Sequence, residues 1–157
     1  MAKTNQIGLA TKDTQVLAMG LNDLLANYQI FYMNARAFHW NIKGDKFFEL
    51  HLKFEEIYTD ALVKVDEIAE RILTLGYTPL HSFSDYIEHS TIKEYKNISD
   101  GFKAVEAVLE GYKVLLIKER NILKVSGEAD DEGTNALMSD YIREQEKLVW
   151  MYTSFLK

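Results

Sequence analysis

The sequence predicts an all-α protein, a four-helix bundle with a short extra helix in the connection between the second and third long helices. Three observations predict it. Four long segments carry apolar residues at alternating steps of three and four. One proline and eight glycines are too few turn formers for many short elements. A composition of 47% hydrophobic and 27% charged residues supplies one core and a polar surface. The whole chain, 1–157, reads as one domain.

The first helix is predicted from Thr14 to Phe38. Leu17, Leu21, Leu24, Tyr28, Phe31, Ala35 and Phe38 form its stripe, with Asp13 as N-cap. A turn spans Asn41 to Asp45 and contains Gly44. The second helix runs from Lys46 to Leu75, with Leu50, Phe54, Ile57, Ala61, Val65, Ile68, Ile72 and Leu75 on its stripe. Gly76 and Pro79 then stop it. Ser82 to His89 reads as a short helix capped by Ser82, and Thr91 to Asn97 as a loop. The third long helix runs from Ser99 to Ser126, through Phe102, Val105, Leu109, Tyr112, Leu116 and Leu123, and Gly127 ends it. Glu128 to Gly133 reads as an acidic loop. The fourth helix runs from Thr134 to Phe155, through Leu137, Tyr141, Leu148, Met151 and Phe155. The long second connection lets the third helix start at either end of the bundle, so periodicity leaves the topology open.

Charge and composition bound the function. A net charge of −6 draws cations rather than nucleic acid. With no cysteine there are no disulfides, thiolate metal sites or cysteine nucleophiles. The polar start, Met1 to Asp13, lacks an apolar stretch of signal-peptide length, and no run approaches the ~20 apolar residues of a membrane span. A cytoplasmic protein without membrane association is expected.

Helix bundles build metal sites from side chains on facing helices. The Glu-x-x-His pattern of many di-iron bundles is absent, which argues against a centre inside one bundle. The second helix instead carries two i,i+4 pairs, His51 with Glu55 and Asp66 with Glu70. From His51 to Asp66 the helix turns roughly 60° past four full turns, so both pairs point broadly to one side. Along the axis they stand ~22 Å apart, too far to share one ion. A second copy of the helix, packed antiparallel about a two-fold axis near Asp60 and Ala61, removes the difficulty. His51 and Glu55 of one subunit then face Asp66 and Glu70 of the other. Tyr58, Leu62, Ala69 and Leu73 give the helix the second apolar side that such packing needs. His39, at the end of the first helix beside Trp40, is brought near His51 by the turn at Gly44. Two imidazoles with carboxylates suit iron, manganese or zinc.

Taken singly, each of these pairs reads as solvated helix surface. His81 and His89 have no partner pattern and read as surface residues. Tyr58 reads as a packing aromatic.

The run Phe38-His39-Trp40-Asn41-Ile42-Lys43-Gly44, then Phe47-Phe48-Glu49-Leu50-His51, then Val65-Asp66-Glu67-Ile68-Ala69-Glu70-Arg71 resembles the Dps family of ferritin-like mini-ferritins. Glu146-Lys147-Leu148-Val149-Trp150-Met151 resembles that family's last helix. The resemblance spans nearly the whole chain. It implies a hollow dodecamer of four-helix bundles that oxidises iron(II) at two-fold interfaces, usually with hydrogen peroxide, and stores ferric mineral. It implies His39, His51, Asp66 and Glu70 as iron ligands, with Glu55 where many members have Asp. Zinc is a further metal that the same ligands suit. It also implies Trp40 as an electron donor and Glu128, Asp130, Asp131 and Glu132 as the acidic region of a three-fold pore.

Two other functions compete. DNA compaction, for which the family is named, is disfavoured by the chain's negative charge and by a start whose only basic residues are Lys3 and Lys12. A purely structural assembly would share fold and interface without taking up metal.

Overall fold

The computed structural model describes residues 1 and 3–157. Five helices follow one another: α1 (Thr11–Asn41), α2 (Phe47–Thr74), α3 (Phe83–His89), α4 (Gly101–Glu128) and α5 (Glu132–Leu156). Strand pairing among the described residues is limited to two isolated bridges, Thr4 with Ala10 and Lys43 with Asp100.

Short turns make α1/α2 and α4/α5 antiparallel hairpins. Contacts between the hairpins set their relative direction. Gly20 meets Ile122, and Phe31 meets Tyr112, so α1 and α4 run antiparallel. Arg71 meets Asp131 and Lys64 meets Glu144, so α2 and α5 also run antiparallel. Helices α2 and α4 are therefore parallel, and the connection between them must travel the length of the bundle. It carries α3 and returns to the first turn, where the Lys43 N–H bonds the Ser99 carbonyl at 2.9 Å. This fixes the topology that periodicity left open: four helices with one long crossover.

Two buried asparagines of α1 hold the crossover down. Asn27 Oδ1 accepts the Thr91 and Ile92 N–H groups, and Asn34 Oδ1 accepts that of Tyr95. These bonds give the loop's N–H groups partners where it lies on the bundle, that of buried Ile92 among them. Gly111 lets α4 approach α1 closely, since a Cβ there would lie 2.6 Å from the Phe31 ring.

Several element ends differ from expectation. Helix α1 starts at Thr11 rather than Thr14, because the preceding segment folds back. Asn5 Oδ1 accepts the Ile7 and Leu9 N–H groups there. The N-cap is Ala10, without a side-chain bond, and Asp13 sits within the first turn. Gly127 does not end α4, which runs to Glu128. Asp130, at φ 55°, takes the left-handed position after the helix. The Asp131 N–H reaches back to the Ser126 carbonyl at 2.9 Å, closing the helix end. Half of the expected six-residue acidic loop is thus helix, and the connection shrinks to Ala129, Asp130 and Asp131. Asp131 caps α5 by accepting the Thr134 N–H at 3.0 Å, and Glu132 is that helix's first residue. At Gly76 the expectation holds: φ is 95°, and the Tyr77 N–H bonds the Ile72 carbonyl at 3.1 Å.

The α1 and α2 stripes pack as read, except that Val65 is half-buried and Lys64 takes a core position. On α4 the buried face is turned by about one residue. Val108, Leu115 and Ile122 are buried, while Leu109, Leu116 and Leu123 are half-covered and Phe102 is exposed. On α5, Met138, Tyr141, Gln145 and Tyr152 face the core, and Met151 is exposed.

Candidate metal centre

The two histidines meet as spacing suggests. Helix α1 carries His39 into its last turn, and a five-residue connection leads to α2, with His51 in its second turn. The rings stack at a centroid separation of 3.8 Å and an interplanar angle of 13°. Each ring also bonds the other residue's backbone. His39 Nδ1 lies 2.6 Å from the His51 carbonyl oxygen, and His51 Nδ1 lies 2.7 Å from that of His39.

A carbonyl oxygen only accepts, so both Nδ1 atoms must carry the proton and donate. In the neutral rings both Nε2 atoms then keep a lone pair, the form in which imidazole binds a metal. The His39 carbonyl lies in the last turn of α1, where carbonyls lack a helical partner, so His51 also caps that helix. His39 is buried and His51 half-buried. Phe47 stacks beside His51 at 5.0 Å, and Tyr58 packs edge-on against His39 at 5.3 Å.

The carboxylates are arranged differently. Glu55, Asp66 and Glu70 are all exposed on α2. The three basic residues of that helix are engaged elsewhere. Lys53 pairs with Glu56, Lys64 with Asp60 and Glu144, and Arg71 with Asp131. No basic residue of their own helix therefore neutralises Glu55, Asp66 or Glu70. Among the described residues, no three His, Asp or Glu side chains converge within one chain as a metal site. The second apolar side of α2 is uncovered in the single chain, with Leu62 and Leu73 more than half exposed and Tyr58 and Ala69 half-buried.

Trp40 is 55% exposed beside His39, with the Arg36 guanidinium 4.9 Å from its ring. Of the acidic residues expected at a pore, Glu128, Asp130 and Glu132 are exposed. Asp131 departs from that expectation. It is buried and spends its carboxylate inside the chain, on Arg71 at 2.7 Å and on the α5 cap.

One polar cluster was not anticipated. Glu119, Tyr28 and Gln145 meet in the core, beside Tyr141. Lys64 lies over the Tyr141 ring at 4.9 Å. The available signal was positional: Glu119 falls four residues after Leu115 and three before Ile122, on an apolar stripe.

A bundle with one long crossover, with His39 at the end of its first helix and with His51 and carboxylates along its second, defines a ferritin-like protein. Residues 19–157 match the family described as the ferritin-like domain. The chain is 59% identical to a Dps protein from Vibrio cholerae O1, whose crystal structure it overlays with a TM-score of 0.97, covering 100% of this chain and 98% of that one. That protein is described as a member of a broad superfamily of ferritin-like diiron-carboxylate proteins. A Dps structure from Bacillus brevis gives a TM-score of 0.90 at 35% identity, over 93% and 98% of the two chains. Among relatives, a DNA protection during starvation protein from Porphyromonas gingivalis is 41% identical over 148 residues, 94% of this chain and 93% of its own. The chain belongs to the Dps family of ferritin-like proteins. Among the described residues, no helix is long and apolar enough to cross a membrane.

Proposed function

We propose that this protein oxidises iron(II) to iron(III) at sites shared by two subunits and stores the ferric product inside a hollow dodecamer, protecting the cell from oxidative damage. His39 and His51 of one subunit supply two nitrogens to each site. Asp66 and Glu70 of the partner supply oxygens, and Glu55 adds a carboxylate beside them. The observation that carries the reading is the reciprocal hydrogen bonding of His39 and His51. It spends both Nδ1–H groups on backbone and leaves both Nε2 lone pairs for an ion. The unneutralised carboxylates ~22 Å along α2 have the complementary charge and lie out of reach within one chain. Antiparallel pairing of α2 about Asp60 and Ala61 joins the halves and buries Leu62 and Leu73.

Iron is the substrate here. Carboxylates favour iron(III) over iron(II), because negative oxygen ligands stabilise the higher charge. Hydrogen peroxide is the proposed oxidant, accepting two electrons from two iron(II) ions. Zinc suits the same ligands and would compete. Exposed Glu128, Asp130 and Glu132 concentrate cations where subunits meet at a pore, while Asp131 serves the fold.

DNA binding stays a minor expectation despite the names of the relatives. Twelve copies of a −6 chain carry about −72, which phosphate repels. A gel shift at physiological salt is expected to show no complex.

The test is an anaerobic iron(II) titration followed by peroxide, with radical production and particle size measured alongside. Two iron(II) per peroxide, without hydroxyl radical and on a dodecamer, is the expected result. A dodecamer that never takes up iron would leave only a structural assembly.

A further inference from the structure

The core cluster has no role in the iron site. Glu119 is fully buried. Its Oε1 accepts the Tyr28 hydroxyl at 2.5 Å, while Gln145 donates an amide N–H to the same Tyr28 oxygen. Glu119 Oε2 and Gln145 Oε1 have no partner among the described residues. Burial pushes the Glu119 carboxyl up to about 7, against the hydrogen bond from Tyr28. It therefore exchanges a proton near neutrality. Burial, with the Glu119 charge second, also pushes the Tyr28 phenol well above its ordinary range, so Tyr28 does not ionise unaided.

Two aromatic contacts lead from the histidines toward this pair. Tyr58 lies 5.3 Å from His39, and Tyr32 lies 6.0 Å from Tyr58. Tyr28 is one turn from Tyr32 on α1, which sets their Cβ atoms roughly 5–6 Å apart. Charges grade the chain. The Arg36 guanidinium sits 4.9 Å from the Trp40 ring, 5.7 Å from Tyr58 and 5.8 Å from Tyr32. A cation is attracted to a ring's electrons, so taking an electron from that ring costs more. Tyr141, 6.2 Å from Tyr28, has the Lys64 ammonium over its ring. Tyr28 instead holds a carboxyl that can carry negative charge. These cations make an electron vacancy costlier on Tyr58, Tyr32 and Tyr141, while the Glu119 carboxylate favours one on Tyr28.

We propose that Tyr28 is a buried one-electron donor, with Glu119 as its proton acceptor, acting when a site holding a single iron(II) meets hydrogen peroxide. This rests on the ferroxidase reading. Peroxide needs two electrons, and one iron(II) supplies only one. The second comes from Tyr28 by way of Tyr32 and Tyr58. As the electron leaves, the Tyr28 hydroxyl proton crosses to the Glu119 carboxylate. The O–O bond breaks and two solvent protons complete two waters. Iron(III), a neutral Tyr28 phenoxyl and protonated Glu119 remain, and no hydroxyl radical is released.

The experiment uses the assembled protein loaded with one iron(II) per site, mixed with peroxide and frozen for electron paramagnetic resonance. Wild type is expected to give a tyrosyl signal. Tyr28→Phe should lower it at least tenfold or so, and Glu119→Gln at least threefold or so, by removing donor and proton acceptor respectively. Tyr28→Phe should keep the oxidation rate at two iron(II) per site within about twofold. Tyr32→Phe, at a half-buried position, tests the route independently should Tyr28→Phe fail to assemble, and it should also weaken the signal. A tyrosyl signal undiminished in these variants, or a tryptophanyl signal alone, overturns the inference while leaving iron oxidation standing. If wild type does not oxidise iron at all, the ferroxidase reading falls and this inference with it.

Discussion

The two ends of α2 carry the two halves of the proposed iron site, and they are built differently. At the N-terminal end, His51 is stacked on His39 and bonded to its backbone, so its orientation is set when α1 and α2 pack. At the C-terminal end, Asp66 and Glu70 stand exposed, without a basic partner on their own helix. The nitrogen half is oriented by folding, its Nδ1–H groups spent on backbone carbonyls. The oxygen half stands in solvent, open to a cation. On the proposed reading, a single subunit carries the two halves apart and its ligand set is completed on pairing. Arg71, next to Glu70, shows how the acidic end is held. It bonds Thr134 Oγ1 at 2.9 Å and Asp131 at 2.7 Å, tying α2 to the start of α5.

Breaking the histidine half should have the largest effect. His51→Ala removes a ligand, the stack on His39 and the cap on α1. A fall of about 100-fold in the initial rate of iron(II) oxidation is expected, with a loss of about 1–2 kcal/mol in unfolding stability. Asp66→Ala should separate the two effects. The rate should fall about thirtyfold, yet stability should stay within about 0.5 kcal/mol, because the carboxylate is exposed. Thermal unfolding of both variants beside rate measurements checks the contrast. Equal destabilisation by the two substitutions would mean that the halves are not built differently.

Glu119 provides the third comparison, a buried carboxyl against the exposed ones. Below pH 4.5, the carboxyl's ordinary value, folded and unfolded chains both hold its proton. Between there and about 7 only the folded chain does, so stability falls as pH rises through that window. The contribution lost between pH 4.5 and about 6.5 is about 2 kcal/mol. Lys64, Arg120, Tyr28, Tyr112 and Tyr141 are the charged and titratable groups around it. Unfolding followed across this range should show Glu119→Gln lacking that part of the slope. Parallel wild-type and variant curves would contradict it.

Much of this was legible in the sequence where one physical signal acted alone. The α1 stripe and the stop at Gly76 follow from period and from the left-handed backbone glycine accepts. The meeting of His39 and His51 follows from a short turn between long helices. The misread parts have two signals in competition. Helix α4 has apolar residues on more than one side, so Leu109, Leu116 and Leu123 look as core-like as Val108, Leu115 and Ile122. Gly127 looks like a stop, but Asp130 takes the left-handed position three residues later. Asp131 reads as one more loop acid, and only tertiary structure reveals Arg71 behind it. The Tyr28–Glu119–Gln145 cluster joins three helices, so no local pattern announces it.

The central claim is that each iron site takes its nitrogens from one chain and its oxygens from another, and complementation between two defective chains tests it most directly. His51→Ala and Asp66→Ala are each purified, unfolded, mixed in equal amounts and reassembled, and the initial rate of peroxide-driven iron(II) oxidation is measured. In a mixed pair, one site receives histidines from the Asp66→Ala chain and carboxylates from the His51→Ala chain, and is whole. Random pairing restores about a quarter of the wild-type sites, so the mixture should recover about a quarter of the wild-type rate. A mixture that reassembles fully yet is no faster than its two components would contradict the shared site.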